Sequence, residues 1–227
     1  MEKTVTMKLR WCLILALALC SFGCNRSHDK IGDAPKTESA SSSVAGGTEI
    51  STSGIALSLP PGWKAMDLTR QTFDQAADKV FGSDPKYAAM RQQTSAMAKQ
   101  GMIKLIAFES ATMGSGFATN CNVVIQNQPA QVTLEQIADA SVQQLKQLVA
   151  AGTEPKLEYV TLKAGKAAII RSEVKSPNPS VPTYVSFGYL VMKGSNMCVV
   201  TFSAASTEEA HVRRIADQSM NTFRFTQ

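Results

Sequence analysis

Histidine is scarce in this chain of 227 residues, and its scarcity limits the chemistry available to the protein. There are only two histidines, His28 and His211, and they lie in distant segments. A zinc site needs three or four N, S or O ligands, and a His-dependent triad needs its histidine beside a nucleophile. We therefore expect no metal site and no such triad, and we expect His211 to be a solvated residue on a helix.

Long hydrophobic runs are missing as well. The apolar run from Trp11 to Phe22 is interrupted by Cys20 and Ser21. It is shorter than the roughly 20 apolar residues that a transmembrane helix requires. A membrane-spanning helix is therefore not expected.

Motifs for phosphate binding and for serine nucleophiles are absent from the sequence. There is no Gly-x-x-x-x-Gly-Lys-Ser/Thr and no Gly-x-Gly-x-x-Gly pattern. Gly114-Ser115-Gly116 lacks the nucleophile-elbow pattern and its strand–turn–helix context, which favours a loop. Basic residues form no cluster or stripe that indicates nucleic-acid binding. We predict no enzymatic activity, no catalytic residue, no cofactor and no nucleic-acid partner.

The sequence contains ten methionines, whose thioether sulfurs are soft metal ligands. Met90, Met97, Met102 and Met113 fall in one stretch, and thioethers favour Cu(I). Methionine also fills irregular cores and adaptable binding surfaces. The spacing favours core residues, with a partner surface and a copper site as alternatives.

The start of the chain has the features of a secretory signal peptide. Basic residues Lys3, Lys8 and Arg10 precede the apolar run, and small residues end in Gly23-Cys24 before a polar segment. A cysteine at this point resembles a bacterial lipoprotein signal, in which it becomes the lipidated first residue. We predict a signal peptide over 1–23 and lipid attachment at Cys24, with the domain outside the cytoplasm on the cell membrane or outer membrane.

Two alternatives remain open in this leader. Cys20 is a competing lipidation site, with Leu17 three residues before it but a bulky Leu19 directly before it. Translation from Met7 would give a more compact leader. Ordinary cleavage and a retained anchor are the other outcomes.

The segment 24–54 is predicted to be the lipidated N-terminus and a flexible linker, because it is rich in Ser, Gly and Thr and poor in large apolar residues. The globular domain is predicted over 55–227, a length that suits one domain. Without 1–23, which carry three basic residues and Glu2, the formal net charge falls from +5 to +3.

Two cysteines remain in the predicted domain, Cys121 and Cys198. An oxidising compartment allows a disulfide between them, provided that their strands are neighbours with matching side-chain directions. The alternative is a pair of buried free thiols that pack as small hydrophobes.

Hydrophobic periodicity alternates between helical and strand-like segments. A capping box, Thr133 to Gln136, opens a helix that stops near Gly152, and Ser206-Thr-Glu-Glu209 is predicted to cap a last helix. Trp63, after the Pro60-Pro61-Gly62 turn, is a predicted core residue. Further helices are predicted at 68–81 and 84–101, and strands at 55–59, 102–109, 118–126, 156–162, 167–175, 183–192, 197–204 and 223–225.

This order of elements indicates an α+β fold, a largely antiparallel sheet of about six to eight strands with helices packed on its faces. The chain also resembles the PsbP-like α/β/α sandwich superfamily, which includes PsbP of photosystem II, the DcrB-like proteins and the LpqN lipoproteins. The resemblance rests on Pro-Pro-Gly-Trp63, Asn120-Cys-Asn-Val-Val-Ile125, Leu162-Lys-Ala-Gly-Lys-Ala-Ala168, Cys198-Val-Val-Thr-Phe202 and Asn221-Thr-Phe-Arg-Phe225.

Members of that superfamily act mostly as assembly, scaffold or partner-binding proteins, so the resemblance implies a non-enzymatic binding or accessory role. The expected partners are membrane lipid, through the acylated N-terminus, and an envelope protein. A small-ligand or lipid carrier, a structural accessory and an enzyme with an unrecognised site are the alternatives.

Overall fold

The computed structural model describes residues 47–68, 103–113, 117–148, 153–175 and 182–226. The predicted helices at 68–81 and 84–101 lie outside these ranges, apart from Leu68. The described helices are α1 (Leu134–Leu148) and α2 (Glu209–Met220). The described strands are β1 (Thr48–Thr52), β2 (Ile55–Leu59), β3 (Trp63–Asp67), β4 (Ile103–Glu109), β5 (Asn120–Asn127), β6 (Lys156–Leu162), β7 (Gly165–Val174), β8 (Tyr184–Lys193), β9 (Asn196–Ala205) and β10 (Arg224–Phe225).

The strands form two antiparallel sheets. The large sheet has seven strands in the order β3-β4-β5-β9-β8-β7-β6, and the small sheet has the order β1-β2-β10. Long hairpins build the centre of the large sheet, where β8 and β9 pair along their whole length. The predicted antiparallel α+β architecture is confirmed, and the separate small sheet is an addition to it.

A hydrophobic core lies on each face of the large sheet, because alternate residues of a strand point to opposite faces. The α2 face carries Val123, Phe187 and Phe202, which cluster with residues of α2 and of the small sheet. The α1 face carries Val124, Leu190 and Val199, which cluster with residues of α1. Trp63 is 9% exposed and belongs to the α2-face core, as predicted.

The start of α1 confirms the predicted capping box. The backbone N–H of Thr133 donates to Oε1 of Gln136 at 3.0 Å, and the N–H of Gln136 donates to Oγ1 of Thr133 at 3.3 Å. Two backbone donors at the helix start are thereby satisfied. The helix then buries Leu134, Ile137 and Leu145 against the sheet.

The predicted cap of α2 is wrong. Ser206–Glu208 forms a 3-10 turn, and α2 begins at Glu209 without a side-chain capping hydrogen bond. The N–H of Ser206 donates to the carbonyl oxygen of Thr183 at 2.9 Å. The capping pattern fails because this segment continues from β9 and is held against β8, and because the Glu209 carboxylate binds an arginine of the sheet.

The N-terminal boundary of the domain also needs correction. Thr48–Thr52, placed in the linker by composition, forms β1 and pairs with all five residues of β2. Polar residues suit this strand, since it lies at the edge of the small sheet. Trp63–Asp67 likewise forms β3, which the sequence did not predict; it pairs with β4 through backbone hydrogen bonds that any side chain permits.

Candidate functional site

The predicted lipidation site, Cys24, and its competitor Cys20 lie outside the described residues, as does most of the predicted linker. Within the described ranges no helix has the length and apolar character needed to cross a membrane. The Gly114-Ser115-Gly116 segment also falls outside those ranges.

The two cysteines of the domain are free thiols rather than a disulfide, and both are buried. Their strands, β5 and β9, are neighbours, but Cys121 is opposite Phe202 whereas Cys198 is opposite Ile125. The cysteines are therefore offset by four residues, about 13 Å along the strands. A disulfide requires Cα atoms within about 7 Å, so the alternative of two buried thiols is the correct one.

Both thiols should be unreactive in the folded protein. Burial raises the pKa of Cys198 to about 12 and also raises the pKa of Cys121, so neither forms the reactive thiolate at neutral pH. We expect maleimide to label both only after unfolding, with an intact mass unchanged by reductant. Labelling of either thiol in the native state would contradict their burial, and a mass increase on reduction would contradict the register of β5 and β9 that keeps them apart.

A patch of buried polar side chains interrupts the core on the α1 face of the large sheet. One row crosses four strands in register, from Asn120 through Ser203 and Ser186 to Ser172. A second row, two residues along, runs from Asn122 to Thr201 and Gly188. The polar patch is defined as the six side chains Asn120, Asn122, Ser172, Ser186, Thr201 and Ser203, none more than 4% exposed.

The polar patch is only partly satisfied by its own hydrogen bonds. The hydroxyls of Ser186 and Ser203 lie 2.8 Å apart and bond to each other. The Nδ2 atom of Asn120 donates to the carbonyl oxygen of Ala118 at 3.0 Å, while its Oδ1 has no partner among the described residues. Neither amide atom of Asn122 has a partner there, although the residue is fully buried. A buried polar group left unpaired costs about 1–3 kcal/mol.

Gly188 lies in the middle of the polar patch. It lies on β8, in the interior of the sheet, yet it is half-buried while its flanking residues are buried. A Cβ atom placed there would lie 3.9 Å from Oγ1 of Thr201 and from the carbonyl oxygen of Ile170, at ordinary contact distance. On α1, which packs over β7 and β8, both amide atoms of Gln144 are also buried without a described partner.

The sequence did not identify this patch. Asn120 and Asn122 stand out in the sequence only through a family resemblance, and the serines of β7, β8 and β9 resemble the solvent-facing residues of half-buried strands. One signal could have identified it. Helices are predicted to pack on the faces of the sheet, so the polar residues of the central strands β8 and β9 have no side that faces solvent.

His211 is not the solvated residue that the sequence predicted. Its Nε2 lies 3.0 Å from Oε1 of Glu109, and its Nδ1 lies 3.3 Å from Nη2 of Arg214. Because arginine can only donate, Nδ1 accepts and Nε2–H donates to the carboxylate. No hydroxyl or thiol of the described residues is bonded to His211, so the cluster joins α2 to β4 and forms no triad there.

A second set of ion pairs fixes α2 against β7 and β8. Arg171 donates two hydrogen bonds to the Glu209 carboxylate, both at 2.6 Å. The Tyr189 hydroxyl donates to Oδ1 of Asp217 at 2.6 Å, and Arg213 donates to the other oxygen at 2.8 Å. Burial, and then the bond to Asp217, raise the pKa of Tyr189. Because every group named here has a protein partner, the network stabilises the packing of α2 on the sheet.

The Arg171–Glu209 pair should make stability depend on acid pH. Hydrogen bonding from Arg171 holds the pKa of Glu209 below its ordinary value of 4.5. The contribution is therefore complete above that value and lost as the pH falls through the lower folded pKa. We expect Glu209→Gln to lose about 0.5–1 kcal/mol at pH 7, since the pair is half-exposed.

Urea unfolding between about pH 7 and pH 3 tests this expectation, because the gap between wild type and Glu209→Gln should close as the carboxyl protonates. Glu208→Gln is the matched control and should keep the wild-type profile. A gap that stays constant across the range would contradict the assignment.

No group of three or more His, Cys, Asp or Glu side chains within the described ranges is placed to hold a metal ion. Met113 is buried in the α1-face core. The other methionines of the stretch, Met90, Met97 and Met102, lie outside those ranges.

Searches against family models and against curated proteins find no match to this chain. The crystal structure of LpqN, involved in cell envelope biogenesis of Mycobacterium tuberculosis, matches with a TM-score of 0.50 and 10% identity, over 80% of this chain and 91% of that one. The chain has a PsbP-like fold. At this identity the similarity shows the fold alone.

Two further solved structures are similar to this chain. Cyanobacterial PsbP (CyanoP) from Synechocystis sp. PCC 6803 has a TM-score of 0.48 and 12% identity, over 85% of this chain and 99% of that one. The Ran-binding protein Mog1p of Saccharomyces cerevisiae has a TM-score of 0.48 and 9% identity, over 80% and 96%.

Proposed function

We propose that the protein is a lipid-anchored lipoprotein of the cell envelope whose domain, outside the cytoplasm, acts as a non-enzymatic binding module. The observation that carries this proposal is the leader, in which a basic start, a short apolar run and small residues end at Cys24. LpqN, which has the same fold, is involved in cell envelope biogenesis. The charged groups around His211 and Asp217 are hydrogen-bonded to one another, which favours a binding role over catalysis.

The mechanism is presentation of the domain at a membrane surface. Lipoproteins of this kind carry two or three acyl chains, and two suffice for stable attachment. A Ser- and Gly-rich segment between Cys24 and β1 would have a root-mean-square reach of about 25 Å if it behaves as a random coil. The domain can then meet a partner close to the membrane without leaving it.

The outer edge of β6 is the surface we propose for an envelope protein partner. β6 ends the large sheet, so one side of its backbone is available for pairing with another strand. Tyr159 lies on this strand and is 41% exposed. It is the exposed large hydrophobic residue among the described residues. The Lys166 ammonium lies 4.7 Å from the centre of its ring.

Replacing Cys24 by serine tests the anchor. We expect Cys24→Ser to lose labelling by radioactive palmitate and to move from the membrane fraction to the soluble fraction. Cys20→Ser is the matched control and should keep both. Full labelling and membrane retention of Cys24→Ser would contradict the proposal, and loss only in Cys20→Ser would move the anchor to that residue.

Photocrosslinking in native membranes tests the partner surface. A photoreactive phenylalanine at Tyr159 should give a discrete crosslinked protein. The same probe at Lys64, an exposed residue on β3 at the opposite edge of the sheet, should not. Equal products from both positions, or none from either, would contradict a specific partner at β6.

A further inference from the structure

We infer that the partner at the β6 edge is a second copy of this chain, and that the two β6 strands pair antiparallel about a two-fold axis at Tyr159. The inference rests on the proposed function, because it names the partner of the surface proposed there. Pairing of this kind joins the seven-stranded sheets of the two copies into one continuous sheet.

The open backbone groups of β6 follow from its hairpin with β7. Along an antiparallel pair, residues that bond to the neighbouring strand alternate with residues whose N–H and C=O groups point away from it. Leu162 is opposite Gly165 across a two-residue turn, and the residues that flank such a turn bond to each other. Every second residue from Leu162 backwards therefore bonds to β7. Leu157, Tyr159 and Thr161 lie between them and present their N–H and C=O groups at the outer edge.

Bonds elsewhere in the sheet agree with this alternation. Lys193 and Asn196 flank the two-residue turn between β8 and β9, and the alternation counted from this turn gives the same outward residues on β6. Counted in the other direction, it makes Glu109 on β4 face β5. The N–H of Glu109 does donate to the carbonyl oxygen of Thr119, at 2.9 Å.

An axis at Tyr159 uses all of the outward groups. Tyr159 then lies opposite Tyr159 of the second copy, and Leu157 lies opposite Thr161, so each outward N–H and C=O has a partner. An axis one residue earlier would place Glu158 opposite its own copy, and like charges directly opposite are destabilising. It would also set Thr161 against Pro155, which has no N–H to donate. An axis one residue later would set Leu157 against the turn.

The apolar side chains of β6 gain burial from a second strand. Leu157 packs at the margin of the α1-face core, and Val160 and Leu162 pack at the margin of the α2-face core. All three are only half-buried, so a strand beside them removes further apolar surface from water. Charge does not oppose this pairing, since the Glu158 carboxylate is paired with Arg213 at 2.5 Å.

Pairing of β6 with itself also closes the assembly after two copies. Pairing of β6 with β3 of the next copy would be head-to-tail, and such contacts continue without limit when they do not close into a ring. β3 is the less suitable edge, because it has five residues and its Asp67 accepts a hydrogen bond from Thr52 of β1.

The orientation of the two domains suits copies tethered to one membrane. Antiparallel strands of one sheet are related by a two-fold axis perpendicular to it, so corresponding faces of the two copies lie on the same side. In each copy the small sheet, which contains β1, packs on the α2 face. Both chains therefore enter their domains from one side of the joined sheet, and both lipid anchors can reach the same bilayer.

Cysteine crosslinking of the full-length protein in native membranes tests the inference. The Cα atoms of a hydrogen-bonded pair lie about 5.5 Å apart, within the range of a disulfide. Tyr159→Cys should therefore join two copies when copper phenanthroline oxidises the thiols. Thr161→Cys, exposed on the same strand, is the matched control, because its two copies would lie four residues or about 13 Å apart. It should give no linked dimer, and neither should the wild type, whose domain cysteines are buried.

Proline variants test the backbone pairing by sedimentation equilibrium in detergent. Tyr159→Pro removes an outward N–H and leaves the bonds to β7 in place, which an edge strand tolerates. Both bonds of the central pair are lost, so the dimer should weaken by about tenfold or more. Ala65→Pro is the matched control at an exposed, outward position of β3, and it should dimerise as the wild type does.

Absence of a linked dimer from Tyr159→Cys would overturn the inference, and so would an equal yield from Thr161→Cys. Dimerisation that Tyr159→Pro leaves unchanged would overturn it as well. A photocrosslinked product at Tyr159 that contains a different protein would exclude the second copy but keep the envelope partner of the proposed function. Release of Cys24→Ser from the membrane tests the anchor alone, so the two proposals fail separately.

Discussion

Replacing Phe202 by alanine is expected to lower the free energy of unfolding by about 3–5 kcal/mol, the cost of deleting a large aromatic side chain from a packed core. Phe202 is fully buried on β9, in the middle of the α2-face core. The rings of Trp63 and Tyr189 each meet it edge to face, with centroids 6.3 Å away. These two neighbours lie on different strands, β3 and β8, and cannot move together into the cavity, which places the expected loss high in this range.

Urea unfolding followed by tryptophan fluorescence measures this loss, because Trp63 reports on the same core. Phe202→Leu keeps most of the volume and should cost less than half as much. Tyr159→Ala removes an exposed ring and should change stability by about 0.5 kcal/mol or less. A loss for Phe202→Ala as small as that for Tyr159→Ala would contradict the packing described for β9.

Removal of β1 is expected to cost about 2–4 kcal/mol, from lost strand pairing, hydrogen bonds and apolar burial. A chain starting at residue 55 lacks Ile50, which packs against the α2-face core. It also lacks Thr52, whose hydroxyl donates to Oδ1 of Asp67 at 2.8 Å. β2 would then become an edge strand that carries Ile55, Leu57 and Leu59, a recognised cause of aggregation.

The measurement compares two chains without the leader, one starting at residue 47 and one at residue 55. The longer chain should unfold at higher urea and remain monodisperse in size-exclusion chromatography. The shorter chain should unfold earlier and associate. Equal midpoints would restore the domain boundary that composition predicted and would show that β1 adds nothing.

The two capping patterns show where local sequence is a sufficient guide. Thr133 and Gln136 bind each other's backbone, so their box depends on a few consecutive residues and was predicted correctly. Ser206 to Glu209 follows the same Ser/Thr-x-x-Glu/Gln pattern, but its predicted cap does not form. There the Glu209 carboxylate binds Arg171, which is 38 residues away in sequence, and a charge-assisted bidentate pair outweighs a local cap.

The strands that sequence reasoning missed share a different cause. β1 and β3 have weak alternation, because each lies at the edge of a sheet and much of its surface remains exposed. Their pairing is made by backbone groups, which leave no trace in the side-chain pattern. The long central strands, by contrast, were predicted because their burial selects apolar residues.

The sequence by itself determined the α+β class and predicts a leader that ends at Cys24, since both depend on the local order of apolar, polar and turn-forming residues. Only the tertiary structure decided that Cys121 and Cys198 stay apart and that Asn122 lies beside Thr201 and Gly188. The reason is strand register, which is set by the pairing of segments distant in sequence. One register separates the thiols by four residues and brings polar side chains from four strands together on one buried face.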